Sequence, residues 1–209
     1  MHLEILNNNQ KELLDFISLF KREYYLVGGT AIALHIGHRE SVDFDLFKQS
    51  NLRKSDIYKK LNTTKFGYRF GYENYEQLNL VINNVKFTFF SFPHKIPLNS
   101  EVKGVIKMPD LLTLAAMKAF ALGRRAKWKD YVDLYFILKD YYTLKEIYTK
   151  AKELFGEMFS EKLFKMQLGY FKGINYSEEV TFLIPNPPSE TEIQTFLKDV
   201  SISELEDLV

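Results

Sequence analysis

The sequence predicts an α+β protein, with a mixed sheet in its first half and a helical second half. Three observations predict it. Runs rich in β-branched and aromatic residues fall before Leu98; from Pro109 onward apolar residues recur at helical intervals; and three prolines break that periodicity between Glu179 and Glu190. The expected division is an α/β core over residues 1–98 and a helical domain over 99–209 that closes a cleft on it. With 46% apolar and 15% aromatic residues there is ample material for packed cores.

The elements follow in order. Asn9 to Arg22 spaces Leu13, Leu14, Ile17, Leu19 and Phe20 as one helix face, and "YYLVGGTAIAL" reads as a short strand, a glycine turn and a helix start. "HRESVDFDLF" is a second strand, and a helix follows through Leu61. Three strands are expected at Phe66 to Tyr72, Gln77 to Ile82 and Val85 to Phe92. Asn83-Asn84 forms the two-residue turn between the last two, because Asn tolerates positive φ. Pro109 stands at a helix start and Gly123 at its C-cap, around "DLLTLAAMKAFAL". "KDYVDLYFILKDY" is the next helix, "LKEIYTKAKELFGEMFSEKLFKMQLGYF" holds one or two more, and Glu190 to Val209 is an amphipathic helix.

Charge narrows the functional classes little: 28 basic against 27 acidic residues leave +1, so a polyanion site has to be a local cluster. The absence of cysteine excludes disulfides and thiolate metal sites. "MHLEILNNNQ" has no basic segment followed by an apolar run, and no stretch of apolar residues is long enough to span a bilayer. The expectation is a soluble, cytoplasmic protein with no membrane partner. His35, His38 and His94 lack metal-ligand spacing and read as structural or surface residues.

The chemistry concentrates in two short stretches. On a strand, residues i and i+2 share a face, so Ser41, Asp43 and Asp45 point one way, and Val42, Phe44 and Leu46 point into the core. Two carboxylates about 4 to 5 Å apart repel by roughly 3 to 4 kcal/mol at an effective dielectric near 20. A cation between them removes that penalty, and Mg²⁺ in particular takes one or two carboxylates together with substrate phosphates. A solvent-facing edge strand would carry the same Ser-Asp-Asp pattern. Upstream, Gly28-Gly29-Thr30 sits between strand and helix, where glycines admit a phosphate to the backbone and the helix start favours an anion; a plain tight turn would look the same. The order of the two stretches points to phosphoryl-group chemistry.

"GGTAIAL" followed by "HRESVDFDLF" resembles the motif pair of the DNA polymerase β-like nucleotidyltransferases, and within them the AbiEii/AbiGii-type toxin branch. "MKAFALGRRAKWKDYVDLYFIL" is similar to the lysine, arginine and K/R-D-x-x-D-L segment of that branch, and the likeness runs from about Tyr24 to Leu138. The resemblance implies that Gly28, Gly29 and Thr30, with Arg39 and Ser41, hold the nucleotide, and that Asp43 and Asp45 bind Mg²⁺ or Mn²⁺. It also implies that Lys118 reaches a phosphate and Asp130 takes a catalytic or orienting role. The implied reaction is transfer of NMP from NTP to a hydroxyl acceptor, an RNA such as the 3′ end of tRNA, by the toxin of a toxin–antitoxin pair. Transfer to a small-molecule or protein hydroxyl, or nucleotide binding without turnover, are the alternatives. Polymerase β-like enzymes usually carry a third carboxylate on a later strand, where "NVKFTFFSF" places Thr88, and the toxin branch often lacks an acid there. A hydroxyl cannot accept the proton at neutral pH, so the base is Asp130, water or substrate.

"GRRAKWKD" gathers Arg124, Arg125, Lys127 and Lys129 around Trp128. Such a cluster suits the phosphates of an RNA or of the NTP, and equally an ordinary solvated loop. Asp130 and Asp133 share a helix face, so both could look into a cleft, or Asp133 could pair with a basic neighbour.

Overall fold

In a computed structural model of the chain, which describes residues 1–122 and 124–203, contacts separate two units, Met1–Asp110 and Leu111–Val209. The first unit is built on a five-stranded mixed sheet. Its strands are β1 (Tyr25–Val27), β2 (Asp43–Lys48), β3 (Tyr68–Glu73), β4 (Gln77–Ile82) and β5 (Val85–Ser91), in the order β1-β2-β5-β4-β3. Only the β2–β5 pair is parallel; β1–β2, β3–β4 and β4–β5 are antiparallel. Asn83 and Asn84 both take positive φ, 49° and 62°, so the β4–β5 turn is of the type expected for a two-residue hairpin.

One face of the sheet is apolar without interruption. Phe44, Leu46, Leu78, Leu80, Ile82, Phe87 and Phe89 alternate with outward residues along three strands, and all are buried. Phe16 and Phe20 meet this face edge-on or tilted, with ring centroids 5.9 Å from Phe87 and 5.0 Å from Phe89 respectively. They come from a helical segment that is split, against expectation, into α1 (Asn8–Glu12) and α2 (Leu14–Ser18). A reciprocal cap between Asn7 and Gln10 starts α1. At Leu13 the backbone N–H turns to the Gln10 carbonyl three residues back, which tightens the turn and re-aims the chain while burying Leu13 completely.

α3 (Gly28–Ile36) packs against β1 and β2, and α4 (Lys54–Leu61) buries Ile57 and Leu61. Val42 departs from the expected inward direction: β2 begins only at Asp43, and Val42, just before it, is 51% exposed. The unit also runs past Leu98 to Asp110, because a hairpin of β6 (Ser100–Val102) and β7 (Ile106–Met108) packs against β1. Pro109 follows that hairpin, ahead of α5 (Leu111–Leu122) and outside it, and its carbonyl accepts a bond of 3.0 Å from His35 Nε2.

The second unit is helical. α5 is joined by α6 (Trp128–Asp140), α7 (Leu144–Phe155), α8 (Glu161–Leu168) and α9 (Glu190–Ser203). A Thr143–Glu146 capping box starts α7, and the Phe120 and Phe155 rings stack at 4.1 Å to hold α5 against α7. The expected C-cap at Gly123 and the last turns of the final helix toward Val209 lie outside the described residues. Among the described residues, no helix is long and apolar enough to cross a membrane.

Candidate active site

β1 passes into α3 with no loop between them, so the glycine pair forms the first helical turn itself. Gly28 has φ +75°, and a Cβ there would run into the carboxylate of Asp45. The reason is the register: Val27 pairs with Asp45, which brings that side chain against the start of α3. Gly29 makes room in the same way for Arg39 and Ser41, whose guanidinium and hydroxyl lie against its Cα. Arg39 is buried, and its Nη1 donates to the Glu40 carbonyl at 2.8 Å.

Thr30 takes a different position from the other nucleotide-binding candidates. Its hydroxyl is buried and turned inward, donating to the Asp43 carbonyl and pairing with the Ser41 hydroxyl at 2.9 Å. Ser41 lies before β2 and is itself held at its carbonyl by Gln10 Nε2, at 2.8 Å. Thr30 therefore clamps the chain that leads into β2. Val27, the N-cap residue, offers α3 no side-chain cap, and the positive end of the helix dipole lies at Gly28–Thr30, where the Asp45 carboxylate and the Arg39 guanidinium also come.

Asp43 and Asp45 are half-buried on the sheet face opposite the apolar one. Across the parallel β2–β5 pairing, Asp43 stands beside Lys86 and Asp45 beside Thr88. The β5 residue beside Asp45 thus carries a hydroxyl, and the one beside Asp43 an amine. Among the described residues, no group of three or more His, Cys, Asp or Glu side chains could hold a metal ion. Two carboxylates alone fit the ligand habit of Mg²⁺, which fills its other positions with substrate phosphates and water.

In the helical unit, Lys118 on α5 lies between two carboxylates of α6: Nζ is 2.8 Å from Asp130 and 2.7 Å from Asp133. All three are buried, and Arg125 adds a third contact at 3.2 Å through Nε while its side chain is half-exposed. Burial pushes the Asp130 carboxyl up, but Lys118 and Arg125 outweigh it and hold the group below the usual carboxylate range. Lys118 and Asp130 thus meet each other, and Arg125 is the member of the cluster that reaches solvent.

The basic segment is only partly a free cationic surface. Lys127 and Lys129 both pair with Glu178, and Trp128 stacks on Tyr176 at 5.5 Å. Backbone bonds between Ala126, Trp128 and Asn175 zip the two segments together. Burial raises the Glu178 carboxyl, yet the two lysines overcome this and hold it at about 2. Arg124 lies over the Phe120 ring at 4.2 Å. Glu178 was not foreseen; it is 51 residues from Lys127, and nothing local in the sequence marks it as the partner.

The model of one protein family, described as nucleotidyl transferase AbiEii toxin, Type IV TA system, matches residues 13–205. The chain belongs to that family. A relative, the uncharacterized protein aq_aa25 of Aquifex aeolicus, is 30% identical over 156 residues, 71% of this chain and 75% of the relative. MenT4, a nucleotidyltransferase toxin of Mycobacterium tuberculosis, has a similar structure: TM-score 0.64 and 10% identity over 92% of this chain and 81% of that one. The crystal structure of JHP933 from Helicobacter pylori is similar at TM-score 0.54, with 16% identity over 97% of this chain and 96% of the other. At those identities the likeness is one of fold, and it places the AbiEii sheet and helical region on the same architecture. Membership makes this chain a nucleotidyltransferase of a toxin–antitoxin family.

Proposed function

We propose that this AbiEii protein transfers a nucleoside monophosphate from an NTP to a hydroxyl at the 3′ end of an RNA, with tRNA as the leading acceptor, releasing pyrophosphate. The observation that carries the reading is the steric fit of the glycine turn, where Gly28 makes room for Asp45 and Gly29 for Arg39. A triphosphate at the start of α3 would meet backbone N–H groups and the Arg39 guanidinium within reach of both carboxylates. Mg²⁺ or Mn²⁺, when held by Asp43 and Asp45, supplies charge stabilisation at the phosphoryl oxygens.

The remaining roles are assigned from the protein's own groups. Lys118, enclosed by Asp130 and Asp133, acts as a positioning residue that fixes the start of α6, and Arg125 is the cation offered to a phosphate. Asp130 is engaged by Lys118 and Arg125, and the Thr88 hydroxyl cannot take the acceptor proton at neutral pH. The proton leaves to water or to a substrate phosphate. A cognate antitoxin is the expected protein partner. Transfer to a small-molecule or protein hydroxyl is the second reading, favoured by Glu178, which pairs with two of the four cations of the basic segment.

The test is incubation with each labelled NTP, Mg²⁺ and total tRNA, beside an Asp43→Ala variant. Label in the RNA with wild-type protein, reduced by about 10²-fold or more in the variant, is the expected result. No label in RNA under any NTP overturns the RNA reading, and equal labelling by Asp43→Ala overturns the carboxylate assignment.

A further inference from the structure

Beyond Asp43 and Asp45, the same sheet face continues across three more strands. Thr88 on β5 pairs with Asn79 on β4, and Asn79 with Tyr72 on β3; in the next row, Lys86 pairs with Val81 and Val81 with Arg69. Directly paired residues share a face, so two cross-strand rows run from the carboxylates to the sheet edge, about 14 Å at the usual strand spacing. Arg69 and Tyr72 could not both stand on this face in a regular strand, since they are three residues apart. A bulge between Phe70 and Tyr72 supplies the extra residue. Gly71 sits in it, and a Cβ there would lie 3.1 Å from the Asn79 carbonyl. Lys86 and Arg69 are exposed, and Tyr72 is 51% exposed with its hydroxyl accepting from Asn74 Nδ2 at 3.1 Å.

We propose that this face is the acceptor track, on which the single-stranded 3′ end of the RNA lies with its phosphates on Lys86 and Arg69 and a base stacked on Tyr72. The occupant follows from chemistry. Two cations alongside an exposed aromatic match a phosphate backbone carrying flat bases, and the track ends at the carboxylates where the terminal hydroxyl must arrive. The track also supplies the cationic surface that Lys127 and Lys129, paired with Glu178, do not. The inference rests on the RNA reading of the acceptor.

The test uses a 5′-fluorescein single-stranded RNA and measures anisotropy over a range of salt, with NTP binding followed on the same samples. Tyr72→Ala should weaken RNA binding about tenfold and Tyr72→Phe should restore it. Lys86→Ala and Arg69→Ala should each lower the salt slope by about 0.7. NTP binding should be unchanged in all four, which also reports that they fold. Wild-type binding of RNA with every variant unaffected overturns the track and leaves the RNA reading standing. A wild type that binds NTP but no RNA overturns both.

Discussion

Gly28 shows how much of the site rests on a missing side chain. Its φ of +75° costs an L-residue about 1–2 kcal/mol, and the added methyl group would also displace the Asp45 carboxylate. Gly28→Ala is therefore expected to lower stability by about 1–2 kcal/mol in urea unfolding while lowering nucleotide transfer far more than that loss explains. Transfer at wild-type rates in the folded variant would mean that the position of Asp45 does not matter. "GGT" and "DFD" were legible because each is a contiguous motif whose residue types are demanded by local geometry. The inward turn of the Thr30 hydroxyl was not, because it depends on where the chain before β2 happens to pass.

At the scale of elements, what joins α5 to α6 is charge buried between helices. Removing one partner of a buried ion cluster leaves an uncompensated charge, so Lys118→Ala should cost about 3–5 kcal/mol at pH 7. The sign with pH follows from Asp130, whose carboxyl is depressed in the folded wild type. Its contribution is present above the unfolded value of about 3.9 and is lost as pH falls through the lower folded one. The penalty of Lys118→Ala should thus shrink as the pH falls, because carboxylates buried without their cation take up protons more readily than the paired ones of the wild type, whose own contribution is lost at low pH. Denaturant curves at pH 7 and pH 3.5 check it, and a penalty independent of pH would contradict the account. Periodicity revealed α5 to α8 and alternation revealed β4 and β5. The β6–β7 hairpin was missed because its three-residue strands leave no run to read, and the break at Leu13 because apolar spacing continues through it.

For the whole molecule, a net charge of +1 gives no pull toward a polyanion, so recognition has to come from arranged local groups. The sequence placed those groups in "GRRAKWKD"; the fold instead ties two of its lysines to Glu178 and arrays Lys86, Arg69 and Tyr72 along the sheet face that carries the carboxylates. That array was hidden because it is assembled from two strands that are not neighbours and a bulge, although a glycine within "YRFGYE" is the kind of signal that marks one. The central claim is that the glycine turn and Asp43–Asp45 carry out nucleotidyl transfer. The most direct measurement supplies NTP labelled at the α phosphate and, separately, at the γ phosphate, with Mg²⁺ and RNA, and follows both acceptor and released product. The account expects the α label on the RNA 3′ end and the γ label in pyrophosphate, with both signals lost in Asp43→Ala. Appearance of the γ label on the acceptor would contradict it.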